Sequence, residues 1–128
     1  KIDVNPPAAL REHIAQGKTQ WFRGSWIADY ADAENYLSLF YSKNHCPKGS
    51  NYTHFSSKEY DKLYEKAILE TDYEKRIALY KKMNDIIIEE SPIVVLYYDQ
   101  ILQKKQKNIS GFESNPLNLL ILKNVNKD

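Results

Sequence analysis

Asp29 stands directly after Trp26, Ile27 and Ala28, and Tyr30, Asp32, Glu34, Asn35 and Leu37 follow it. A carboxylate at the end of an apolar segment is costly unless a cation or hydrogen-bond donors meet it. The chemistry open to Asp29 is recognition of a positive charge through a charge-assisted hydrogen bond. A capping or turn Asp at a strand end would carry the same pattern, and the residues alone leave both open. Asp32 and Glu34 read as helix-start residues, where the positive end of the helix dipole favours a carboxylate. Ser25 and Ile27 are two apart, so in a strand their backbone groups face one edge. Trp26 alternates with them and can either wall a pocket or pack in a core.

Other reactive groups point to no catalysis. His13, His45 and His54 share no zinc-ligand spacing. Cys46 is the single cysteine, which excludes a disulfide within the chain. It sits in the turn-forming run Asn44-His45-Cys46-Pro47-Lys48-Gly49. The sequence holds no nucleophile–base arrangement, phosphate loop or dinucleotide glycine fingerprint. The expectation is a protein that is not an enzyme and takes no metal or cofactor. The 10 tyrosines suit half-buried helix faces, with some left for a binding cleft. A net charge of +1, with acidic and basic residues interleaved, gives no footprint for nucleic acid or an anionic membrane. No apolar run approaches the roughly 20 residues that span a bilayer.

These residues need elements to hold them. Residues 2–4 read as a short strand. Asn5 is an N-cap with Pro6 or Pro7 in the first turn, and Ala9, Leu10 and Ile14 share a helix face that ends at Gly17. Residues 19–27 read as a second strand, making a βαβ crossover. Asp32 caps a helix carrying Tyr36, Leu37, Leu39 and Phe40, and residues 42–53 form a polar loop. Two capping boxes follow, Ser56 with Glu59 and Thr71 with Glu74. The first helix spaces Tyr60, Leu63, Tyr64, Ala67 and Ile68 on one face. The second places Ile77, Tyr80, Asn84 and Ile87 on a face, with Leu79, Met83 and Ile86 beside it, and ends before Pro92. Residues 93–98 read as a central apolar strand, and residues 117–122 as a last strand after a turn at Ser110-Gly111.

The run Ser25-Trp26-Ile27-Ala28-Asp29-Tyr30, with Asp32, Glu34, Asn35 and Leu37, resembles the solute-binding proteins of oligopeptide and dipeptide ABC importers, extracellular solute-binding family 5. Further resemblances follow in order. They are Gly49-Ser50-Asn51-Tyr52, Tyr60-Asp61-Lys62-Leu63, Arg76-Ile77-Ala78-Leu79-Tyr80, Ser91-Pro92-Ile93-Val94-Val95-Leu96-Tyr97-Tyr98 and Asn115-Pro116-Leu117. No single motif is unique; the ordered set is specific and covers nearly the whole chain. The resemblance implies an α/β fold, the C-terminal part of a two-lobed, type II periplasmic-binding fold. Residues 1–98 then belong to the C-terminal ligand-binding lobe, and residues 99–128 cross the hinge and return to the other lobe. Lys1-Ile2-Asp3-Val4 reads as the middle of a fold, in keeping with family members several times longer.

The resemblance also implies a role for each site residue. Asp29 matches the position that reads the α-ammonium of a peptide. Ser25 and Ile27 match the backbone edge along which the peptide adds as a strand, and Trp26 a side-chain pocket wall. Asn51 and Tyr52 are expected to pin their loop. The family's basic residue for the peptide C-terminus has no match here, although Lys18 and Arg23 flank the key segment. The implied partners are a peptide and an ABC importer permease, with no nucleic acid. The implied location is the periplasm, or the outer membrane face through a lipid anchor. Two rivals stand beside this. The same fold takes other solutes, such as an oligosaccharide or a metal chelate. A helical-repeat scaffold would use residues 58–90 as one helix pair, but a stack needs about three.

Overall fold

In the computed structural model, which describes residues 4–115, 117 and 119–127, the chain begins with α1 (Pro7–Ala15) and α2 (Glu34–Leu37). Two 3-10 turns at Ser38–Phe40 and Ser42–Asn44 lead to α3 (Lys58–Leu69) and α4 (Tyr73–Glu90). A two-residue ladder, β1 (Ile109–Ser110) with β2 (Asn126–Lys127), closes the described chain. The described residues are thus mostly helical with one small antiparallel sheet.

Helical spacing of apolar residues makes α3 and α4 pack face to face. Tyr60, Tyr64 and Ala67 from α3 meet Leu79, Tyr80 and Met83 from α4. Leu37, Phe40 and Phe55 complete this core from the preceding segment. Phe40, Phe55 and Tyr60 form an edge-to-face trio with centroids 5.7 to 6.4 Å apart. The Tyr60 hydroxyl, wholly buried, donates to the Leu37 carbonyl at 2.7 Å. Ile68 and Asn84, expected on the buried faces, are exposed; the α4 face is centred on Leu79 and Met83 instead.

The helix starts lie one residue beyond the expected caps. Ser57, not Ser56, accepts the Tyr60 amide at 3.4 Å, and Asp72, not Thr71, accepts the Lys75 amide at 3.1 Å. Each shift leaves Glu59 and Glu74 in the first turn, where they meet the helix dipole rather than closing a capping box. In α1 the cap is Pro6, with Pro7 at the first helical position, and Gly17 follows at φ 66°. Ser91, at φ 47°, closes α4 in a left-handed turn before Pro92.

The expected strands at residues 19–27, 93–98 and 117–122 do not form among the described residues. A strand needs a ladder partner for its amides and carbonyls, and no backbone–backbone hydrogen bond joins residues 19–28 or 93–98 to any described residue. The run at residues 93–98 is correspondingly exposed, from 41% at Ile93 to 88% at Tyr98, instead of lying at a sheet centre. The βαβ unit is present only through its helix; of its first strand, Ile2 and Asp3 lie outside the described residues, as do Pro116 and Asn118 of the tail. The turn at Gly111 does form, at φ 72°. A Cβ there would stand 1.9 Å from the Asn124 carbonyl oxygen, so only glycine fits.

Candidate functional site

The segment carrying Asp29 is fastened to the helical core by polar side chains. Asn35, only 4% exposed at the start of α2, accepts the Trp26 indole N–H at 2.7 Å and the Asp29 backbone N–H at 3.3 Å on one oxygen. Its amide nitrogen faces the Asp29 carboxylate at 3.5 Å. Asp32 accepts the Glu34 amide at 2.9 Å and lies 3.7 Å from the Arg76 guanidinium of α4. The Glu34 carboxylate receives the hydroxyls of both Tyr30 and Tyr64. The loop between Trp26 and α2 is therefore tied to α2 by the Asn35 amide, and this region is tied to α3 and α4 by the Glu34 and Asp32 carboxylates.

These ties shape the tyrosines. The hydrogen bond to Glu34 raises the Tyr30 pKa. Burial first, then the same carboxylate, raises that of Tyr64. Burial and a hydrogen bond to Asp32 push Tyr80 up to about 12. An open hollow of about 330 Å³ lies beside the loop, lined by Ala28, Tyr30, Ala31, Asp32, Ala33, Tyr36 and Leu117.

Of the residues singled out from sequence, Ser25 and Ile27 are exposed, Trp26 is half-buried and Asp29 is exposed. Trp26 and Asp29 converge on Asn35; among the described residues no hydrogen bond joins Ser25 or Ile27 to that amide. Among the described residues no lysine or arginine pairs with Asp29. Asp29 thus presents a carboxylate with its backbone N–H bonded to Asn35 and no counter-ion among the described residues. Sequence reading gave Asn35 no role. The available signal was its place nine residues after a tryptophan at a helix start, where a buried amide needs partners.

The loop with Asn51 is structural, as expected. Asn51 is wholly buried, donates to the Tyr41 and Phe55 carbonyls at 3.1 and 3.0 Å, and accepts the Thr53 hydroxyl at 2.9 Å. Tyr52 remains exposed at 43%. In the same loop the His45 and His54 rings lie 5.4 Å apart. The Cys46 thiol donates to the Gly49 carbonyl, and burial raises its pKa. His13 is exposed on α1, away from the requirements of a shared site. Among the described residues no helix is long and apolar enough to cross a membrane.

No protein-family profile matches the chain. Curated relatives do. A dipeptide-binding protein of Bacillus subtilis is 29% identical over 111 residues, 87% of this chain and 20% of the relative. An oligopeptide-binding protein of the same organism is 35% identical over 89 residues, 70% of this chain and 16% of the relative. A probable deoxycholate-binding periplasmic protein of Escherichia coli is 32% identical over 90 residues, again 70% of this chain and 16% of the relative. The chain spans about a fifth of the length of the curated relatives it matches. In sequence, then, the chain is similar to dipeptide- and oligopeptide-binding proteins over about a fifth of their length, which is consistent with a fragment of a family 5 solute-binding protein.

Proposed function

We propose that this segment supplies one wall of the ligand cleft in an extracytoplasmic peptide-binding component of an ABC importer. The observation that carries the reading is Asp29, an exposed carboxylate with its backbone held by Asn35 and no cation beside it among the described residues. The α-ammonium is common to all unblocked peptides, so a fixed carboxylate binds it without reading side chains. The backbone of residues 19–28, unpaired among the described residues, supports the second half of the reading: a peptide adds as a strand along Ser25 and Ile27, through bonds indifferent to its sequence. Trp26 walls the path of the ligand's side chains. Two lobes close on the peptide by a hinge, with the crossing near residues 98–101, where the apolar run gives way to Asp99-Gln100. The protein then works in the periplasm or on the outer membrane face, held there by a lipid anchor, and delivers its peptide to a permease.

In the full-length protein carrying these residues, Asp29→Asn should weaken binding of a free-amine peptide by roughly 2–5 kcal/mol, the range for truncating a desolvated charge pair. N-acetylation should cost affinity in the wild type and little more in the variant. Calorimetry giving equal wild-type affinity for free and acetylated peptides sinks the assignment. The Escherichia coli relative favours a second reading, a non-peptide solute. Deoxycholate is an anion with no ammonium, and an unpaired Asp29 would repel it, so saturable deoxycholate binding with none of peptide would replace the peptide reading.

A further inference from the structure

We infer that Asn35 is the positioning residue for Asp29, the group that sets the reading carboxylate in its posture; the inference rests on the ammonium reading above. An indole nitrogen only donates, so the Asn35 atom 2.7 Å from Trp26 Nε1 is the carbonyl oxygen. The amide cannot turn over without losing that bond. The same oxygen accepts the Asp29 backbone N–H, which fixes the Cα of Asp29. With the oxygen committed twice, the amide nitrogen faces Asp29 Oδ2 and leaves the other carboxylate oxygen clear. Trp26 thus orients Asn35, and Asn35 orients Asp29.

The helix supports the arrangement from below. The Asn35 amide N–H is bonded to the Asp32 carbonyl at 3.2 Å, and its own carbonyl accepts the Ser38 hydroxyl at 2.9 Å. With its main chain held in the helix by these bonds and the residue only 4% exposed, the Asn35 side chain has little freedom to shift. Its polar atoms are spent on a loop that places no apolar side chain in the α3–α4 core. A buried amide of this kind costs desolvation unless its bonds are made, and here they are made to Trp26 and Asp29.

Two substitutions separate positioning from packing. Asn35→Asp keeps an acceptor for both N–H groups but turns a second carboxylate oxygen toward Asp29. Asn35→Leu keeps the volume and removes every bond. In the full-length protein, both should lower affinity for a free-amine tripeptide by about 10- to 100-fold, the worth of a hydrogen bond to a charged group. Both should lower affinity for the N-acetylated tripeptide by less than about 3-fold, since that ligand carries no charge for Asp29. Equal losses for the two ligands, or no loss, overturn the inference. If the Asn35 variants do not fold by circular dichroism, Trp26→Phe takes their place. It frees the amide to turn, and it should narrow the free-to-acetylated preference; an unchanged preference overturns the inference. Asp29→Asn is run in parallel. If it abolishes the preference while the Asn35 variants keep it, the positioning role falls and the ammonium reading stands. If Asp29→Asn keeps the preference, both fall.

Discussion

At the scale of single residues, two buried asparagines do different work. Asn51 closes its own loop, and Asn35 reaches back to a loop nine residues earlier. Asn51→Ala should remove one of two hydrogen-bond partners from each carbonyl, leaving Tyr41 with the Asn44 amide and Phe55 with the His45 ring. Each hydrogen bond lost costs about 0.5–1.5 kcal/mol, so the midpoint of urea unfolding should fall; an unchanged midpoint would show that water replaces the side chain. The loop-pinning role of Asn51 was legible in sequence because an Asn two residues after a glycine, in a turn, serves its own neighbourhood. The role of Asn35 was not, since its partners are fixed only once α2 turns the buried face inward. Asp29, Ser25, Ile27 and Trp26 were proposed from the resemblance; the residues alone left Asp29 between a capping role and a binding role.

At the scale of elements, α3 and α4 were legible and their caps were off by one. Apolar spacing locates a helix face, but two adjacent cap-competent residues, Ser56-Ser57 or Thr71-Asp72, differ only in which one reaches the third amide. Asp72→Ala should therefore cost about 1 kcal/mol of stability, and Thr71→Ala should stay within about 0.5 kcal/mol. Equal costs in thermal unfolding would return the cap to Thr71. The hairpin should also fail in alkali. Tyr80 is raised to about 12 from 10.0, chiefly by burial, and Tyr60 and Tyr64 are raised as well. A folded-state pKa above the unfolded one means that the fold favours the neutral phenol. Its stabilisation is whole below pH 10.0 and is lost as pH climbs toward 12. Absorbance at the phenolate band should rise together with loss of helix across that window; phenolate forming first, with helix intact, would contradict the burial. The strands were misread for a different reason. Strand patterning in residues 93–98 reports an apolar environment, whereas a ladder depends on a partner segment, which no pattern within the run supplies.

At the scale of the molecule, the described chain has a well-packed half and a half with little secondary structure. From Ile93 to Leu102 and from Leu119 to Leu122, large apolar side chains are exposed, several by more than 60%. A contiguous apolar surface of this kind marks a face that another surface covers. On the two-lobe reading the isolated chain holds one wall of the cleft, and an exposed ion pair is worth only about 0–1 kcal/mol. Titrated alone with a mixed peptide pool, it should show no saturation at micromolar ligand, and saturable binding by a monomer would rule out the second wall. It should also bind a hydrophobic dye and sediment heavier as concentration rises. Order along the chain was legible here where pairing was not, because the family resemblance is a series of short motifs, and a short motif carries no information about the segment it pairs with. The two tryptophans carry that contrast into optics. Trp21 is 83% exposed and Trp26 is half-buried with its indole N–H bonded to Asn35. Replacing Trp21 by phenylalanine leaves a single emitter whose colour and iodide quenching report the state of the Asp29 loop, so the protein arrives with its own fluorescent gauge of the site.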